Sequence, residues 1–138
     1  MNKSHKTIWK VLLAAYIIGV CILCFGSFSG GPDLGGTLWG IQKDKIAHFV
    51  MFLPFPVLVF CVFDRITTRP WHSAVFVLCT FATGCLIAAA TELGQTLTAD
   101  RQCDIADFRA DMLALAVSSL GVLVYDISKM FRKCRGEE

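Results

Sequence analysis

Charge is the scarce component of this chain. Lys, Arg, Asp and Glu make up 17% of its 138 residues, while 55% are hydrophobic and the mean hydropathy is +0.60. A soluble domain carries about a quarter charged residues, so too little polar chain remains here to cover a globular surface. The net charge of +2, with no run of basic residues, gives no footprint for nucleic acid. Repeats and low-complexity tracts are missing as well, which excludes solenoids and compositionally disordered tails. No H-E-x-x-H and no activated Ser or Cys motif is found. The Gly-rich stretch FGSFSGGPDLGG is followed by neither Gly-Lys-Ser/Thr nor a strand–helix frame, so it is not a phosphate cradle but a connection.

What the chain does have is long apolar runs. Crossing the hydrocarbon core takes roughly 17–25 apolar residues as helix. Blocks of that kind lie at about residues 7–26, 46–63, 73–91 and 108–125. They predict an all-α integral membrane bundle of about four transmembrane helices, with residues 1–138 forming a single domain and lipid as the surrounding partner. The last block is the weakest, because Arg109 and Asp111 occupy its first turn and its clean apolar part, Met112 to Tyr125, is short for a span. Lys3, Lys6 and Lys10 before the first block resemble the start of a signal peptide. Its apolar run is longer than a usual h-region and no A-x-A site follows, so a retained helix is expected. Pro54 and Pro56 fall mid-span in the second block and predict a bend. Of the seven cysteines, Cys21, Cys24, Cys61, Cys79 and Cys85 lie in apolar blocks and read as small hydrophobes.

Basic residues alternate with the blocks. Lys3, Lys6 and Lys10, then Arg65 and Arg69, then Lys129, Arg132, Lys133 and Arg135 fall on one side of a four-span protein. By the positive-inside rule that side is the cytoplasm, with both termini in it. The connections Ser27–Lys45 and Glu92–Asp107 then face outward across a plasma or inner membrane.

The chemically informative residues sit at this outer side. Asp44 and His48 are four apart and share a helix face, with Lys45 three before His48. Glu92 and Gln95 are a turn apart where the third block ends. Arg101, Asp104, Asp107 and Asp111 are spaced by three, three and four, which on a helix makes one stripe leading into the fourth block. Ionisable groups near the membrane are costly and usually face the bundle interior and find partners. One shared polar pocket is expected from these nine residues, with Arg101 held by Glu92, Asp104 or Asp107. The bland alternative is that such charges mark span ends or cap helices; Asp100 reads that way.

Taken together, Asp44-Lys-x-x-His48-Phe49, Glu92-x-x-Gln95 and Arg101-x-x-Asp104-x-x-Asp107-x-x-x-Asp111 resemble the VanZ-like membrane proteins in motif order, size and four-span layout. The match departs at Asp111, where that family usually has Asn, and at Ala114, where Gly is frequent. The resemblance implies a cell-envelope protein associated with resistance to the glycopeptide antibiotic teicoplanin.

Three functions fit these residues. An outward pocket binding a polar or lipid-linked envelope component, such as a cell-envelope precursor or a glycopeptide, would use Lys45, Arg101 and His48 for phosphate or carboxylate and Glu92 and Asp107 to orient them. A membrane hydrolase would use His48, Glu92, Asp104, Asp107 and Asp111 as divalent-metal ligands, with His48 or Glu92 for acid–base work. A structural or partner-binding subunit would use the cluster to assemble the bundle, helped by the small residues Gly84, Ala88, Ala89 and Ala90. The residues alone specify neither a cofactor nor a reaction.

Overall fold

The computed structural model describes residues 3–25, 36–38, 40–63, 69–96 and 104–136. The order is α1 (Lys3–Phe25), β1 (Thr37–Leu38), β2 (Ile41–Gln42), α2 (Lys43–Phe52), α3 (Phe55–Phe63), α4 (Pro70–Gln95) and α5 (Ile105–Arg135). Counting α2 and α3 as one rod, four helical segments are long and apolar enough to cross a membrane: His5–Phe25, Lys43–Phe63, Pro70–Gln95 and Ile105–Arg135. Large apolar side chains, among them Ile18, Leu86, Leu93, Leu120 and Val124, stand exposed on the outside of the bundle. Water would penalise that surface and lipid does not, so the protein is a membrane protein of helices, as its apolar blocks require.

The blocks read from sequence underestimate the helices. The third extends from Ser73–Thr91 to Pro70–Gln95, and the fourth runs on from Tyr125 to Arg135. Hydropathy ends a span at its first charged or amide residue. Here Glu92, Gln95 and Asp126 are nevertheless helical and buried, at 2%, 3% and 5% exposure. Asp126 accepts a hydrogen bond from the Ser73 hydroxyl, tying the far ends of α4 and α5 together. The end of α5 is set by Gly136, which takes the left-handed conformation (φ 73°) that favours glycine. Arg132, Lys133 and Arg135 in its last turn complement the helix dipole.

The bend expected from Pro54 and Pro56 is a two-residue interruption, Leu53–Pro54, between α2 and α3. Neither proline has an N–H to return to the preceding turn, so the ladder lapses there. Tyr16 of α1 braces the place by donating to the Met51 carbonyl at 2.7 Å. The Ser27–Lys45 connection, whose last three residues belong to α2, contains a β1–β2 hairpin pairing Thr37 with Gln42 and Leu38 with Ile41, turned by Gly40 at φ 81°. The Gly-rich part of that connection lies outside the described residues.

The core consists of Val20, Cys24, Phe52, Phe55, Ala88, Ala114 and Leu115. Helix α5 packs most extensively against α4 and next against α2. Of the small residues expected at helix contacts, Gly84 and Ala88 are buried, whereas Ala90 is exposed. Among the described cysteines there is no disulfide, and Cys24 is buried as a core hydrophobe. Cys103 lies outside the described residues.

Candidate functional site

The end of α1, the start of α2, the end of α4 and the start of α5 meet at one end of the bundle. Helix geometry brings the charges inward. Asp44, Lys45 and His48 occupy the first two turns of α2, Glu92 and Gln95 the last turn of α4, and Asp107 and Asp111 successive turns of α5. The expected helical stripe is corrected at its beginning. Asp104 does not continue the helix but caps it, in extended conformation, its carboxylate accepting from the Ala106 N–H at 2.8 Å. An Asp at this position satisfies an otherwise orphan donor, and its charge suits a helix N-terminus. Arg101, with the pairing expected of it, and Asp100 lie outside the described residues.

Lys45 bridges α2 to α5. Its ammonium donates to Asp104 Oδ2 at 2.8 Å and to Asp107 Oδ1 at 3.0 Å. The Lys45 ammonium, and then the Ala106 N–H, hold the Asp104 carboxyl below the usual carboxylate range. A depressed carboxyl adds stability above its unfolded pKa and loses it as pH falls through the folded one. The protection factor of the amides at the start of α5, their slowing relative to an unstructured peptide at the same pH, is therefore expected to be high at neutral pH and to fall below the usual carboxylate range. Asp104→Asn should abolish that dependence; a pH-independent protection factor in the native chain would contradict the bridge.

His48 lies at the centre, with 6% of its surface exposed. Its Nδ1 is 3.2 Å from Asp111 Oδ1, 3.4 Å from Asp111 Oδ2 and 3.7 Å from Glu92 Oε1, and its Nε2 is 3.9 Å from Asp107 Oδ2. Asp111 is fully buried. Glu92 Oε2 accepts from the Asp104 N–H at 3.3 Å, while Glu92 Oε1 is buried with no hydrogen-bond partner among the described residues. Half-buried Asp44 comes close to His48 and Asp107. A cavity of about 110 Å³ opens beside His48, lined also by Asp44, Gln95, Ala47, Met51, Leu23 and Cys24.

Eight of the nine residues singled out from the sequence are thus gathered at this end, the ninth being Arg101. The sequence reading missed the contribution of α1, whose Leu23 and Cys24 wall the cavity, because both carry only an apolar signal. It also missed Asp126 at the opposite end. That residue had a legible mark: 111, 115, 119, 122 and 126 recur at helical spacing on one face. No family model, curated protein or solved structure matches the chain.

Proposed function

We propose that this chain is a VanZ-like cell-envelope protein of the plasma or inner membrane, with both termini cytoplasmic and the His48 site facing outward. In this reading the site binds a polar group of an envelope component or of a glycopeptide, in keeping with the teicoplanin resistance associated with that family. The observation that supports it most is the buried His48 held among Glu92, Asp107 and Asp111 beside an open cavity. The orientation is supported by Lys6, Lys10, Arg69, Arg132, Lys133 and Arg135, which belong to the opposite end of the bundle.

Two magnitudes narrow the ligand. Drug-sized ligands occupy about 300–1,000 Å³, so a cavity of about 110 Å³ admits a terminal group and not a whole antibiotic. Lys45 is already engaged by two carboxylates, and Asp44, Glu92, Asp104, Asp107 and Asp111 outnumber Lys45 and His48. The described residues therefore suit a positively charged species better than the phosphate or carboxylate expected for Lys45, Arg101 and His48. The assembly reading has the Lys45 bridge in its favour. Against it, a surplus of buried carboxylates costs desolvation that an apolar seam would not.

The test joins topology to phenotype. Reporters fused after Gly31 and after Glu138 are expected to read outside and inside. In a susceptible host, the native chain should lower teicoplanin susceptibility, and Glu92→Gln, present at equal membrane level, should not. An outside C-terminus would overturn the orientation. Unchanged susceptibility with the native chain would remove the resistance role.

A further inference from the structure

We propose that His48, Glu92 and Asp111 form a binding site for one divalent first-row transition metal ion, of the Zn²⁺ or Mn²⁺ class. This goes beyond the envelope reading and rests on the geometry at the mouth of the bundle. One ligand atom from each residue lies within 4.8 Å of the others, and all three side chains are buried. Metal bonds of about 2.0–2.2 Å to imidazole nitrogen and carboxylate oxygen set neighbouring donors roughly 3.0–3.6 Å apart. His48 Nδ1 stands 3.2 Å from Asp111 Oδ1 and 3.7 Å from Glu92 Oε1, close to that spacing before any adjustment to an ion.

An independent observation comes from Glu92. Buried polar atoms almost always have a hydrogen-bond partner, yet Glu92 Oε1 has none among the described residues, its contact with His48 Nδ1 at 3.7 Å being too long for one. Its sister oxygen is held by the Asp104 N–H, so the carboxylate is oriented with the unpartnered atom towards His48. A lone pair aimed into a buried site beside an imidazole nitrogen is what a metal donor requires. Charge points the same way. Glu92 and Asp111 face one His, while the nearby Lys45 is spent on Asp104 and Asp107. A divalent ion offsets two buried negative charges that the described residues leave without a full counter-charge.

A second grouping, Asp44, His48 and Asp107, shares the same imidazole. It is the poorer site, because Lys45 already occupies Asp107 Oδ1 at 3.0 Å and Asp44 is only half-buried. The donor set of one nitrogen and two carboxylates favours first-row ions over the all-oxygen shells of Ca²⁺ or Mg²⁺. Three protein donors also leave positions open for water or a ligand oxygen, as in reactive rather than structural metal sites. The adjoining cavity gives those positions room.

The experiment is metal analysis of the full chain purified in detergent, stripped with chelator and then dialysed against Zn²⁺ or Mn²⁺. The native chain is expected to retain close to one equivalent of one of these ions and to melt at a higher temperature with it. Glu92→Gln and Asp111→Asn, both near-isosteric, should retain less than a tenth of that. Asp126→Asn removes a buried acid at the opposite end of the bundle and should retain it all. Absence of retained metal and of any melting shift in the native chain would overturn the site, as would full retention by Glu92→Gln. The susceptibility assay reports separately: a native chain that lowers susceptibility without holding metal refutes this inference and leaves the envelope reading standing.

Discussion

A His48→Ala chain, unfolded in the presence of chelator so that no metal contributes, is expected to be destabilised by roughly 3–5 kcal/mol, the cost of leaving a buried charge without its partner. The imidazole is the group common to the carboxylates of Glu92, Asp107 and Asp111, which come from two helices and are all at most 5% exposed. Its removal leaves those carboxylates beside the adjoining cavity without their shared partner. The effect should be specific and reversible by chemistry. Adding Asp111→Asn to His48→Ala removes the nearest of those charges while keeping its volume, and should recover a substantial part of the loss. The two single changes and the double change form a cycle that isolates the coupling between α2 and α5. Unfolding monitored by loss of helical signal in denaturing detergent is the measurement. A His48→Ala chain as stable as the native one would show that the imidazole does not hold these carboxylates together.

The second large effect is expected at Gly84, where no ionisable group is involved. A Cβ there would lie 2.6 Å from Leu115 Cδ2, 3.0 Å from Leu115 Cδ1 and 3.2 Å from Phe55 Cδ1. Leu115 is fully buried and Phe55 is 5% exposed, so neither has free space to move into. Overpacking of this kind typically costs about 1–3 kcal/mol, and Gly84→Val, which adds two methyl groups beyond the Cβ, should reach or pass the upper end. It forces α4 away from α5, the most extensive helix contact in the bundle. Gly94 supplies the contrast. Its Cβ would come 2.6 Å from Phe25 Cε1, but Phe25 is 41% exposed and can swing outward, so Gly94→Ala should be close to neutral. Trimming Leu115 to Ala in the Gly84→Val chain should restore part of the stability. Equal stability of Gly84→Val and Gly94→Ala would mean that the α4–α5 seam is not closely packed.

How far the sequence carries can be followed helix by helix. The first block, residues 7–26, differs from the span His5–Phe25 by a residue or two, because an uninterrupted apolar run in lipid has no option but helix. The second carries its own punctuation, since proline cannot donate and Leu53–Pro54 breaks the ladder wherever the rest of the protein lies. Hydropathy misplaces the ends of the third and fourth blocks. It scores Glu92, Gln95 and Asp126 as though each met lipid, and each is turned into the bundle.

The candidate site divides along the same line. That Asp44 shares a face with His48, Glu92 with Gln95, and Asp107 with Asp111 follows from 3.6 residues per turn, and is contained in the spacing. That the three pairs converge at one end follows from the antiparallel order of the spans. Which atoms meet does not follow from either. Lys45 reaches Asp104 and Asp107 across 59 and 62 residues, and His48 reaches Asp111 across 63. Those choices depend on the rotation and closeness of the helices, which Gly84 under Leu115 and the break at Pro54 set through packing. The amino-acid order alone determined a helical membrane bundle with its ionisable residues at the helix ends. Only the tertiary structure decided that Lys45 braces Asp104 and Asp107 while His48 turns to Glu92 and Asp111, because a side chain's partner is fixed by the distance between helix axes, a quantity that no local spacing encodes.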